Sequence, residues 1–214
     1  KILSISIWMM LQHGLVFGSW FVFFITIEHF GERSLAITNI VRNISSFLFL
    51  FVQAFASVVS SLVGNLIGED KSNSILYVCK KVIFLCYITI LPIIILFVLF
   101  PSYILRIYSD NAALVFEAIP TLKVMLTSYL IAVPTFVFFS VVSGIGHAVA
   151  SLSIAFISLF IYIMYVEAIG HFSSSVPLLW TSEHVYFSCV FILSLYHIHH
   201  WRMNLYQSRQ KINH

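Results

Sequence analysis

Charge is what this sequence has least of: of its 214 residues only 9% are charged, against 60% that are hydrophobic. Soluble domains carry about 25% charged residues, so a soluble enzyme or nucleic-acid binder is excluded. The 11 Lys and Arg fall in short clusters, and a net charge of +3 offers no basic face for DNA or RNA. Cysteine is scarce too: Cys79, Cys86 and Cys189 stand singly in apolar stretches, without the spacing of a disulfide framework or a zinc site. Residue 1 is a lysine, and no signal-peptide pattern follows it. The chain therefore reads as a piece of something longer, beginning just before an apolar run. With a mean hydropathy of +1.00, it is an integral membrane protein.

Charge-free runs mark the spans, because about 20 helical residues cross a hydrocarbon core of roughly 30 Å. They cover 2–27, 43–68, 82–105 and 124–166. The last would make a helix of about 65 Å, so it holds two spans, divided at Gly144-Ile145-Gly146-His147. Gly31 and Ser34 are expected to form a turn and N-cap that starts the second helix early. Six spans result: 2–27, 36–68, 82–105, 124–144, 147–166 and 176–200, the last containing Glu183 and His184. The runs are too long for barrel strands. Lys1, Lys71, Lys80, Lys81, Arg202, Arg209 and Lys211 fall on one side, and Arg33, Arg42, Arg106 and Lys123 on the other. The positive-inside bias places both termini in the cytoplasm.

Polar residues within these spans are the candidate functional groups. Stepping by three and four from Asn39 gives Asn43, Ser46, Leu50, Gln53, Ser57, Ser60 and Gly64. The lower half, Ser57 to Gly64, reads equally well as close helix packing or as a polar lining. The upper half, with Arg42 beside it, holds amides and a cation that usually face a wet cavity. On the first span Gln12, Val16, Ser19, Phe23 and Thr26 share a face, with His13 beside Gln12. Gln12, Ser19, Asn39, Arg42, Asn43 and Gln53 form the expected cavity set. Glu183 is the acidic residue well inside a span, and hence a candidate for ion coupling; its alternative is a structural hydrogen bond. Pro134 removes one helical hydrogen bond, which a neighbour or water must replace. His197, His199 and His200 resemble one histidine box, but no second box accompanies them, so no catalytic or metal set is assigned.

Phe17-Gly18-Ser19-Trp20-Phe21, Gly31-Glu32-Arg33-Ser34-Leu35-Ala36-Ile37, Asn39-Ile40-Val41-Arg42 and Leu62-Val63-Gly64-Asn65-Leu66-Ile67-Gly68 follow one another in order. Val142-Ser143-Gly144-Ile145-Gly146-His147 and Trp180-Thr181-Ser182-Glu183-His184-Val185-Tyr186 come later. The set resembles the seventh to twelfth helices of the multidrug and toxic-compound extrusion family. The resemblance implies an all-α integral membrane fold: six transmembrane helices forming one lobe of a twelve-helix, two-lobe transporter, with the N-terminal lobe absent from this chain. It further implies export of drugs or toxic organic compounds, often cationic, in exchange for protons or sodium ions across a bacterial plasma membrane. Cofactors are not implied beyond that coupling ion; the partners are the bilayer and the N-terminal lobe. The family's acidic and tyrosine positions fall on Val16, Pro134 and Leu130, none of which binds a cation through its side chain. Alternatives from the residues are a lipid-precursor flippase of the same superfamily, a membrane-embedded enzyme, or a structural scaffold.

Overall fold

The computed structural model describes residues 10, 14 and 18–212, with side chains as far as Met203. Among them the chain is helical throughout: α1 (Gly18–Glu28), α2 (Glu32–Gly68), α3 (Ile75–Leu99), α4 (Pro101–Arg106), α5 (Ala112–Gly144), α6 (Ala148–Phe172), α7 (Val176–Trp180) and α8 (Ser182–Ile212). Five segments are long and apolar enough to cross a membrane: Glu32–Gly68, Ser72–Leu99, Ala112–Gly144, Ala148–Phe172 and Val176–Met203. The described part of the first span, α1, is apolar and shorter.

Helix ends follow local chemistry rather than the positions of charges. At the start of α2, Gly31 is the N-cap with φ 98°, a conformation suited to glycine. Ser34 is not the cap, because the helix already begins at Glu32; its hydroxyl donates back to the Phe30 carbonyl instead. At the far end, Asp70 adopts φ 59° and the Lys71 N–H returns to the Leu66 carbonyl, closing a Schellman turn. Lys71 donates to the Glu69 carboxylate (2.8 Å), holding that carboxyl below its ordinary range and the ammonium above its own.

Two expected spans need correcting. The 82–105 stretch is not one helix: α3 starts at Ile75 and stops before Phe100, and Pro101 opens the short α4. Lys80 and Lys81 ride on α3 because long side chains reach outward; Lys81 lies over the Tyr77 ring at 4.5 Å. The span at 124–144 begins twelve residues earlier, at Ala112, where the Asn111 side chain accepts from the Ala113 and Leu114 N–H groups. Glu117, on this added length, pairs with Arg33 of α2 (2.6 Å).

The long α5 is the centre of the lobe, packing against α2, α3, α4, α6, α7 and α8. It crosses α2 tightly near the 144–147 turn. A Cβ on Gly144 would lie 2.7 Å from the Ser60 carbonyl oxygen and 3.0 Å from Val63 Cβ. Only glycine fits that crossing. Pro134 leaves the Leu130 carbonyl without its helical donor, and the Tyr87 hydroxyl of α3 supplies one (2.5 Å). The division of 124–166 falls where Gly146 takes φ 86° and α6 starts at Ala148.

Candidate functional site

The packed face of α2 is apolar: Val41, Ile44, Leu48, Val52, Val59 and Val63 are all buried. Its polar stripe points elsewhere. Arg42, Asn43, Ser46, Gln53, Ser57 and Gly64 are exposed on the lobe, and Asn39 is half-buried. A neighbouring stripe on the same helix is equally open but apolar, with Phe47 and Val58 about half exposed at 46% and 51%. One side of this helix therefore carries a face suited to lipid and, beside it, a face suited to water.

The Ser57 hydroxyl donates to the Ala54 carbonyl (2.8 Å), but the larger polar groups of the stripe are unsatisfied. Asn39, Asn43 and Gln53 make no side-chain hydrogen bond among the described residues, and Arg42 makes no ion pair there. The Arg42 guanidinium instead lies over the Phe24 ring at 4.9 Å, which draws α1 alongside the stripe. Of the two residues expected from the first span, Ser19 is buried (5% exposed) rather than open to the stripe. Gln12 lies outside the described residues.

Glu183 occupies the first turn of α8, just after the short α7 ends at Trp180. It makes no ion pair or hydrogen bond among the described residues. Three phenols from three helices, Tyr129 (α5), Tyr162 (α6) and Tyr186 (α8), are within its electrostatic reach. His184 turns away from it: the Thr127 hydroxyl gives its proton to the Val124 carbonyl, so His184 Nε2 donates to Thr127 (3.0 Å). Tyr129 connects this group to α2. Its hydroxyl donates to the Ser45 carbonyl (2.5 Å) and accepts from the Ser45 hydroxyl (2.9 Å), one position before Ser46 of the stripe. Glu183 also lies about 21 Å up α8 from His197, which sits level with the 144–147 turn.

The three tyrosines and Ser45 escape a reading of the sequence by helical periodicity, since they meet only through the crossing of four helices. Their one sequence signal is the presence of hydroxyls in otherwise apolar spans. Among the described residues no three His, Cys, Asp or Glu side chains converge as a metal set.

The MatE family model matches residues 9–166. The fold is similar to a solved MOP superfamily transporter from Pyrococcus furiosus Vc1 (DSM3638), a protein described as having a binding pocket of reverse polarity that suggests a different function. The TM-score is 0.75 at 18% identity, over 91% of this chain and 43% of that one. The chain thus spans less than half the length of that transporter. Among curated proteins none matches.

Proposed function

The chain belongs to the MatE family of membrane transporters, and from that premise we propose that the polar stripe of α2 walls a substrate pathway in a multidrug efflux antiporter. Family membership sets the enzyme reading aside, since these proteins are transporters. The observation that carries the proposal is the set of open, unpartnered amides at Asn39, Asn43 and Gln53. An unsatisfied amide in hydrocarbon costs several kcal/mol, so this face requires water, a ligand or a second lobe opposite. A six-helix N-terminal lobe would supply the other wall, with both termini in the cytoplasm of a bacterial cell. Rocking of the two lobes would then alternate access to a site near the midplane.

In this reading small organic compounds, often cationic, leave in exchange for protons or sodium ions. Glu183 is the carboxyl that takes part in coupling from this lobe, and Tyr129 joins it to the pathway wall. Transport by full-length protein tests both parts. Asn39→Leu with Gln53→Leu should change the substrate profile at unchanged expression. Glu183→Gln should flatten the dependence of rate on pH between 6 and 8. An unchanged profile removes the stripe from the pathway, and an unchanged pH dependence makes Glu183 structural.

A second reading, a lipid-precursor flippase, draws on one observation. The fixed charge on the exposed stripe is the cation Arg42, which suits an anionic headgroup better than an organic cation. Arg42→Gln separates the two: it should abolish movement of an anionic lipid precursor but spare export of a cationic dye.

A further inference from the structure

We propose that His147 and His197 form a proton-released latch that holds the α5–α6 turn against α8. His147 Nδ1 and His197 Nε2 lie 2.9 Å apart, with ring centroids 5.2 Å apart and planes at 78°. Fifty residues separate them in sequence. Among the described residues this is the one side-chain hydrogen bond from the turn to α8. Apolar packing joins the same region to α8 through Val141, Val142, Ile145 and Ile198, and the other polar and backbone ties of the turn are to itself and to α2. Ser151 N–H donates to the His147 carbonyl (3.0 Å), and Gly144 abuts Ser60.

An imidazole–imidazole hydrogen bond needs one N–H and one lone pair. The neutral pair has both, and so does the pair with one added proton. With two added protons, two N–H groups face each other with no acceptor between them, and like charges repel. The bond therefore survives the first proton and is lost with the second. Among the described residues no printed ion pair involves either ring. His200, one turn along α8, is within electrostatic reach of His197, and Arg202 follows on the same helix. The packed helices bring no carboxylate: 124–144 of α5 and 148–166 of α6 contain no Asp or Glu. Glu69 and Asp70 lie beyond the end of α2, and Glu69 is engaged by Lys71. With no third ligating side chain beside the pair among the described residues, a proton is the ligand that this chemistry takes.

The test needs no transport assay and is independent of the proposed function. The full chain in lipid nanodiscs, labelled with 15N-histidine, should show coupling between the two ring nitrogens at pH 7.5 and none at pH 5. Amide exchange over 144–150, corrected for its intrinsic pH dependence and referred to 45–53, should rise about three- to tenfold over that interval, the factor for one net hydrogen bond. Glutamine keeps a donor and an acceptor but does not titrate, so His197→Gln, or His147→Gln as a second variant, should remove the acid response. An unchanged exchange rate in wild type with both rings protonated would overturn the latch. So would the same acid-induced rise in both glutamine variants.

Discussion

α2 and α5 are both long, both cross the lobe, and both carry polar side chains in mid-span, yet they dispose of them in opposite ways. On α5 most polar groups are closed within the protein. Ser128 donates to the Met125 carbonyl, Thr135 to those of Ile131 and Phe187, and the carbonyl freed by Pro134 receives Tyr87. On α2 the amides of Asn39, Asn43 and Gln53 are left open. Buried Thr121 is an exception on α5, but that helix's bonded groups tie helices together, whereas the open amides of α2 bond to nothing among the described residues. The content of polar residues alone does not distinguish the two helices; their hydrogen bonds do.

Substitutions along the two helices test this contrast, and the largest effect belongs to their crossing. Gly144→Val puts a side chain against the Ser60 backbone, which cannot yield as a flexible side chain would. We expect a loss of about 3 kcal/mol in stability, at the upper end of overpacking costs, read as a lower thermal midpoint and poor membrane expression. Next comes Tyr87→Phe, which orphans the Leu130 carbonyl beside Pro134. Its expected cost is about 1–2 kcal/mol, measured by the same unfolding experiment. Gln53→Leu stands at the other extreme and should change stability by no more than about 0.5 kcal/mol. A cost for Gln53→Leu as large as that for Tyr87→Phe would break the contrast, since the amide would then have a structural partner.

Five spans and part of a sixth were legible among the described residues because runs without charge are long and few, and the division at Gly144–His147 followed from two glycines in a stretch too long for one helix. Helix ends were less legible. Lys81 and Lys123 were read as boundaries, but side chains of that length sit on a helix while their charges reach out of the membrane. Pro101 and Asn111 carried the correct signals for the break after α3 and the start of α5. The stripe on α2 was visible as a period of three and four, because that spacing puts its residues on one face of a single helix whatever packs against it. Ser19 was misplaced, and the phenols near Glu183 were missed, for the converse reason. Burial and inter-helix contact depend on how α1, α5, α6 and α8 cross, which periodicity within each does not encode.

Water accessibility along α2 distinguishes a pathway wall from a surface that faces lipid. Single cysteines at Asn43 and Gln53, and at Phe47 and Val58, would be introduced into full-length protein in membranes and treated with a small, charged thiol reagent. The native cysteines offer a low background, with Cys79 and Cys86 buried and Cys189 half-buried. A pathway along α2 predicts rapid labelling at 43 and 53 and protection at 47 and 58, although all four positions are open on the lobe. Equal protection at all four would show that the stripe faces lipid or packed protein, and would contradict a pathway along α2.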